Sequence, residues 1–193
     1  IATIVWIGRQ AGNSALTIGE QSHFTNLDGQ DHPPNALNHG TAFVRLPGQI
    51  RGHVLLQGRS EHGNTQVSSS LSATRTNRTY TGLDGSFALT ATHGEGFYTL
   101  SASAIGYLTA EGSRPVKLTV GSEAQLAPVT LLGGDINRDD LIDIRDLSYV
   151  AYHLGGPDAQ SDVNGDGQVD ILDLTLIAGN FGKKGPTPWP IAD

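Results

Sequence analysis

Two stretches in the last third of the chain repeat each other at an offset of 27 residues, starting at Asp135 and at Asp162. Both read Asp-x-Asn-x-Asp-x-x-x-Asp-x-x-Asp, so each places four carboxylates and one carboxamide oxygen within a single loop. Calcium is a hard cation that requires about six to eight oxygen ligands, and a loop of about twelve residues can supply them. One such loop is a fair motif, whereas two in register are far stronger. The repeat therefore predicts two bound calcium ions, one in each loop.

The predicted ligands occupy loop positions 1, 3, 5, 7, 9 and 12, where position 7 contributes its main-chain carbonyl and position 9 acts through a water. They are Asp135, Asn137, Asp139, Leu141, Asp143 and Asp146 in the first loop, and Asp162, Asn164, Asp166, Gln168, Asp170 and Asp173 in the second. Position 6 must turn sharply, which suits Gly167, whereas Asp140 at the same position predicts a slightly strained first loop. Magnesium prefers small octahedral sites that keep several waters, so the donor set favours calcium.

Each loop is followed by apolar residues at helical spacing. They are Ile144, Leu147, Val150, Ala151 and Leu154 after the first loop, and Ile171, Leu174, Ile177, Ala178 and Phe181 after the second. Gly155 and Gly182 then provide normal helix stops. Residues 126–134 read as a strand and a turn, so no helix is predicted before the first loop. Each repeat is therefore a loop followed by one helix, not a complete EF-hand.

A duplicated half-EF-hand with Asp at position 12 closely resembles a dockerin, and the resemblance covers residues 134–184. It implies a small, two-helix, pseudo-twofold module that binds a cohesin-type domain in a calcium-dependent manner. It also implies that loop positions 10 and 11 contact the partner, which here are Ile144, Arg145, Ile171 and Leu172. Many dockerins of cellulosomes carry hydroxyl residues there, so the apolar residues leave the partner class open. For Ile171 and Leu172, core packing is an equally good interpretation.

Charge is concentrated in the same segment. Residues 135–173 contain ten Asp against Arg138 and Arg145, a net charge of −8, whereas residues 1–134 are balanced. Such a cluster of Asp indicates cation binding and argues against a nucleic-acid partner. No long apolar run is present, so no membrane span is predicted. The chain lacks Met and begins with Ile1, which we interpret as a processed or excised polypeptide. Its lack of Cys says nothing firm about compartment. We expect a secreted or cell-surface protein.

The middle of the chain alternates short apolar strands with turn clusters, which is typical of a β-sandwich. The predicted strands are Ile50–Leu56, Gln66–Ser72, Ser86–Ala91, Tyr98–Ala104, Val116–Val120 and Val129–Leu132. Residues 81–107 resemble the carboxypeptidase-regulatory-like domains, in which the Asp-Gly pair makes a hairpin turn. An Ig-like sandwich directly before a dockerin also resembles the X-module–dockerin pairs of scaffold proteins, where the sandwich acts as a spacer.

The fold class we expect is mostly β, with a small helical module at the end. Four regions are predicted: 1–47 as partial jelly-roll strands weakly resembling a cohesin-type domain, 48–133 as the sandwich, 134–184 as the dockerin-like module and 185–193 as a Pro-rich tail. His23, His32 and His39 read as surface residues in preference to a zinc site. Asn77 lies in a glycosylation sequon, a pattern that also occurs often by chance.

No catalytic motif stands out, so the sequence predicts a non-enzymatic assembly protein that binds a cohesin-type partner. Two alternatives stay open. One is a structural subunit that recruits neighbouring copies of the same chain into a filament, with the N-terminal strands completed by another copy. The other is the C-terminal fragment of a dockerin-bearing carbohydrate-active enzyme.

Overall fold

The computed structural model describes residues 12–16, 24–25, 31–32, 40–44 and 47–191. The chain divides into two compact units, Ile1–Leu46 and Pro47–Asp193. The strands of the first unit are β1 (Gly12–Leu16), β2 (Phe24–Thr25), β3 (Asp31–His32) and β4 (Gly40–Val44). Here β1 pairs antiparallel with β4, and β2 pairs antiparallel with β3. Residues 1–11, which belong to the region predicted as partial jelly-roll strands, lie outside the described residues, as do the side chains of His23, His32 and His39.

The described part of the second unit, residues 47–191, contains twelve strands and two helices. They are β5 (Gly48–Leu56), β6 (Gln66–Ser72), β7 (Arg75–Tyr80), β8 (Ser86–Ala91), β9 (Gly96–Ser103), β10 (Gly106–Tyr107), β11 (Ala110–Gly112), β12 (Val116–Leu118), β13 (Glu123–Gln125), β14 (Val129–Leu131), β15 (Gly133–Asp135), α1 (Ile144–Tyr152), α2 (Ile171–Gly179) and β16 (Thr187–Trp189). Among the described residues, neither helix is long and apolar enough to cross a membrane.

Two sheets form the sandwich. In one, β5 pairs antiparallel with β8 and parallel with β13 and β14. In the other, the strand order is β16-β11-β9-β6-β7, and β12 also pairs with β9. Burial alternates along the strands, as in β5, where Ile50 and Val54 are fully buried and Arg51 and His53 are exposed. The mostly β fold class with two short helices near the end is confirmed.

The Asp84-Gly85 pair forms a turn, but the predicted hairpin is wrong. The turn connects β7 to β8, and these two strands belong to different sheets. Gly85 has φ +80°, and the Asp84 carboxylate accepts hydrogen bonds from the main-chain N–H and the hydroxyl of Ser86 at 3.0 and 2.7 Å. These hydrogen bonds, the hydroxyl one foremost, lower the pKa of Asp84. The turn therefore carries the chain from one sheet across to the other.

The region predicted as a Pro-rich tail, residues 185–193, contains strand β16, which packs on the sandwich. Strand β16 pairs parallel with β11, and its Trp189 is fully buried. The indole ring packs edge-on against Phe87 with ring centroids 5.8 Å apart. Its N–H donates a hydrogen bond to the carbonyl of Ala127 at 3.0 Å. The helical module, residues 134–184, thus lies in sequence between two segments of the sandwich. One continuous apolar core joins the helical module and the sandwich.

Replacing Trp189 with Ala should lower the free energy of unfolding by about 3–5 kcal/mol, because it empties the centre of the sandwich. Differential scanning calorimetry or circular dichroism measures the change without depending on Trp fluorescence. Phe97→Ala is the matched control, since Phe97 is an aromatic residue of the same sandwich that is 62% exposed. Equal stability losses in the two variants would contradict the packing role of Trp189.

Candidate metal centre and helix surface

The two repeated loops share one backbone conformation. Positions 4 and 6 both have positive φ, at Arg138 (64°) and Asp140 (64°) in the first loop and at Gly165 (74°) and Gly167 (93°) in the second. Glycine adopts this left-handed region readily, whereas other residues adopt it at a cost of about 1–2 kcal/mol. The second loop therefore adopts this conformation without the cost, because it has glycine at both positions. The first loop requires compensating contacts.

The position-12 carboxylates hold each loop closed. In the first loop, Asp146 Oδ1 accepts hydrogen bonds from the main-chain N–H groups of Ile136 and Asn137 at 2.8 and 3.1 Å, and Oδ2 accepts one from Asp143 at 2.9 Å. In the second loop, Asp173 accepts from the N–H groups of Asn164 and Asp170 at 3.0 and 2.9 Å. Both carboxylates are fully buried. Each one ties the beginning of its loop to the first turn of the following helix.

The helix starts follow from the same residues. Asp143 is the N-cap of α1 and Asp170 is the N-cap of α2, and each forms a reciprocal capping box with the position-12 residue. The N-cap carboxylates accept from the N–H groups of Arg145 and Leu172, each at 2.7 Å. Because these are charge-assisted bonds at helix N-termini, they stabilise both helices. The predicted position-9 ligands thus also begin the helices.

The side chains of positions 1, 3 and 5 turn toward the backbone of their own loop. Asp135 accepts from the N–H groups of Asp139 and Asp140 at 3.1 and 3.2 Å. Asp162 makes the equivalent bonds to Gly165, Asp166 and Gly167. The position-3 and position-5 oxygens likewise accept from the N–H group two residues onward in both loops. The loops are therefore folded with their side-chain oxygens directed inward.

Position 7 differs between the loops. Leu141 is partly buried and forms an isolated antiparallel bridge with Lys184, whereas Gln168 is exposed. Within the described residues, no three Asp, Glu or His side chains form a cluster that could hold a metal ion by themselves. A cation in either loop would thus also use the Asn side chain and a main-chain carbonyl. This mixed, all-oxygen donor set fits calcium better than a transition metal.

Electrostatics in the first loop favours a bound cation. Asp135 is 3% exposed, and burial raises the pKa of its carboxyl to about 6. The nearby charges of Asp146 and Asp140 contribute to this increase in the pKa, and the amides of Asp140 and Asp139 oppose it. A buried carboxylate of this kind lacks a compensating positive charge. A divalent cation between the carboxylates would supply that charge.

The predicted contact residues lie at the surface of the first turn of each helix. Ile144 is 58% exposed, Ile171 66% and Leu172 55%, and the Arg145 side chain is 71% exposed. Core packing therefore does not account for Ile171 and Leu172. Arg145 lies 3.2 Å from Asp139 in an exposed ion pair, which contributes little to stability. The two helix starts differ in charge but share exposed apolar surface.

Two sandwich residues that were not predicted from the sequence contact the second loop. Arg59 donates to the carbonyls of Asp162 and Val163 at 3.0 and 2.9 Å and lies over the Tyr107 ring. The Tyr107 hydroxyl donates to the same Val163 carbonyl at 2.8 Å. Arg59 and Tyr107 are distant in sequence from these partners and belong to no motif. No local signal therefore predicts the contacts. The sequon residue Asn77 is only 9% exposed and is hydrogen-bonded through Oδ1 to Thr92, so the folded sandwich shields it.

Comparisons with known proteins agree with this architecture. Residues 133–181 match the dockerin type I domain family. Two crystal structures of mutant type II cohesin–X-dockerin complexes from Acetivibrio cellulolyticus contain a chain of similar fold, with TM-scores of 0.60 and 0.59 and identities of 21% and 18%. In both cases the similarity covers 71% of this chain and 97% of the other. Comparison with curated protein sequences gave no match. The predicted dockerin resemblance and the preceding sandwich are confirmed.

Asp146→Ala should destabilise the metal-free protein by about 3 kcal/mol or more, because three main-chain N–H groups lose a buried acceptor. Urea unfolding in the presence of a chelator isolates this structural role from any role in metal binding. Asp139→Ala is the control, since Asp139 is exposed and its carboxylate accepts one main-chain hydrogen bond. A loss for Asp146→Ala no larger than that for Asp139→Ala would refute the structural role.

Proposed function

We propose that residues 47–191 act as a calcium-dependent assembly module that attaches its protein to a cohesin-type domain. One observation carries the proposal: a segment that matches the dockerin type I family exposes apolar side chains at equivalent positions of its two helices, directly after acidic loops. Exposed apolar patches of this kind mark protein interaction sites. We assign the module a binding role, and this role requires no catalysis.

Calcium is proposed at two sites, one per loop, with the side chains and main-chain carbonyls predicted above as ligands. A bound ion supplies positive charge to carboxylates that are otherwise close to one another. The chain supplies the geometry: Asp146 and Asp173 fix the helix starts, and the position-1 residues hold the left-handed turns. Because the ligands also cap the helices, loss of metal should loosen the surface formed by the first helical turns.

The proposed contact surface consists of Ile144, Arg145, Ile171 and Leu172. Three of the four are apolar, so the partner should present an apolar patch with at most one acidic group to meet Arg145. The family match names a type I dockerin, whereas the similar structures come from type II cohesin complexes. The binding experiment described below therefore decides which type of cohesin the chain binds.

We also propose that the protein lies outside the cell or on the cell surface, as part of a larger assembly. Support comes from the cohesin complexes to which the similar chains belong. A catalytic domain elsewhere in a longer protein is compatible with this role, since a docking module serves whatever it is attached to. The filament hypothesis rests on residues 1–47, and it stays a prediction.

Isothermal titration of the metal-free chain with calcium should show uptake of two ions. Asp173→Ala should reduce this to one, because it removes the position-12 ligand of the second loop and leaves the first loop unchanged. Magnesium at the same concentration is the control ion. Absence of calcium uptake at millimolar concentration would overturn the proposed metal dependence.

Leu172→Asp combined with Ile171→Asp should weaken cohesin binding by about a hundredfold or more, since it places charges in the apolar centre of the contact. The probes are one purified type I cohesin and one purified type II cohesin, each measured with calcium and with chelator. Ile144→Asp tests the first helix in the same way. Leu83→Asp is the matched control, because Leu83 is 65% exposed on the sandwich. Failure of both cohesins to bind the wild-type chain would refute the proposal.

A further inference from the structure

The side chain of Asp140 leaves the first loop and contacts the sandwich. Its Oδ1 accepts hydrogen bonds from the main-chain N–H and the hydroxyl of Thr109 at 2.9 and 3.0 Å, and its Oδ2 lies 2.8 Å from the same hydroxyl. We propose that Asp140 is a positioning residue that couples the first calcium loop to the sandwich, so that calcium affinity in this loop depends on Thr109. This inference rests on the calcium binding proposed above.

The backbone conformation of Asp140 carries a cost that the contact with Thr109 can offset. Asp140 stands at position 6 with φ 64°, where the second loop has Gly167. A Cβ added at Gly167 would meet no atom within 4 Å, so no neighbouring group occupies the equivalent space in the second loop. A side chain in the left-handed region costs about 1–2 kcal/mol. In the first loop, charge-assisted bonds to Thr109 offset this cost, since such bonds contribute about 1.5–3 kcal/mol.

The chain after α2 encloses Asp140 from the other side. The N–H of Gly185 donates to the Asp140 carbonyl at 2.8 Å, and a Cβ at Gly185 would collide with the Asp140 carboxylate. Thr109 is itself tied to the end of the chain, because its carbonyl accepts hydrogen bonds from the N–H and the hydroxyl of Thr187 at 2.8 and 3.2 Å. Asp140 is therefore held between two sandwich segments that are fixed to each other.

The same residue sets the geometry of two predicted ligands. The N–H of Asp140 donates to Asp135 Oδ2 at 3.2 Å, which orients the position-1 carboxylate. Asp140 also directly precedes Leu141, whose carbonyl is the predicted position-7 ligand. Fixing Asp140 thus pre-organises both ligands before the ion arrives, and this lowers the entropic cost of binding. Because coupling is reciprocal, calcium in this loop should stabilise the contact between Asp140 and Thr109 by the same factor by which the contact increases calcium affinity.

Three variants of the full chain separate this role from backbone strain and from charge. Asp140→Gly restores the residue that the turn favours and removes the contact. Thr109→Val removes the hydroxyl bonds without changing any charge. Arg138→Gly is the matched control, since Arg138 has the same φ in the same loop but is exposed. Strain relief alone predicts tighter calcium binding for both glycine variants.

Calcium titration followed by NMR amide signals resolves the two loops individually. We expect Asp140→Gly to weaken calcium binding in the first loop by about tenfold, as loss of roughly one charge-assisted hydrogen bond implies. Thr109→Val should weaken it by a smaller factor, and Arg138→Gly should not weaken it. Unchanged or tighter binding in Asp140→Gly, or unchanged binding in Thr109→Val, would overturn the inference. If the wild-type chain takes up no calcium, it is the proposed function that fails.

Amide hydrogen exchange in the presence of chelator tests the contact without metal. The Thr109 N–H should be protected in the wild-type chain and should exchange at least about tenfold faster in Asp140→Gly, because its acceptor is gone. The Thr187 N–H serves as an internal reference for the same sandwich edge, since its acceptor is the Thr109 carbonyl. Equal protection of the Thr109 amide in both proteins would contradict the contact, even if calcium affinity changes.

Discussion

The buried position-12 carboxylates are the interaction on which the helical module depends. Asp146 and Asp173 each connect the beginning of a loop with the first turn of a helix, and no other side chain of either loop makes both contacts among the described residues. Because both carboxylates are fully buried, their charge requires hydrogen-bond donors or a cation. The same atoms that would bind calcium therefore determine where the helices begin. Calcium binding, as proposed, would therefore be coupled to the presentation of the exposed helix starts.

The sandwich takes the place of the entering helix that a complete EF-hand has. Strand β15, which ends at Asp135, pairs antiparallel with β10, and Arg59 and Tyr107 bond to carbonyls at the start of the second loop. A loop whose first residues are held by neighbouring structure loses less conformational entropy when it closes around an ion. The sandwich thus does more than separate the helical module from whatever precedes it. It forms one wall of both loops.

Much of the fold and of the conformation of the two acidic loops could be predicted because the signals are local. Ligand spacing within twelve residues and apolar residues at helical period identify the loops and helices. Strand β7 was missed because its sequence, Arg-Thr-Asn-Arg-Thr-Tyr, lacks apolar alternation, and it forms only through pairing with β6. The contact of Asp140 with Thr109 and the burial of Trp189 were missed because they join distant segments. In the sequence, Asp140 was only an unfavourable substitution for glycine.

The two repeats are similar in sequence but have different surroundings. At equivalent positions, α1 exposes Tyr149 whereas α2 directs Leu176 onto the sandwich, close to Gly58 and Gly133. Asn180, the buried C-cap of α2, donates from Nδ2 to the Gln57 side chain and the Gly133 carbonyl at 2.6 and 2.8 Å. Exchanging the two repeats would place α1 residues against surfaces shaped for α2. The sandwich therefore fixes one orientation of the helical module, and the two repeats stay equivalent in their loop conformations and helix caps but not in what their helices contact.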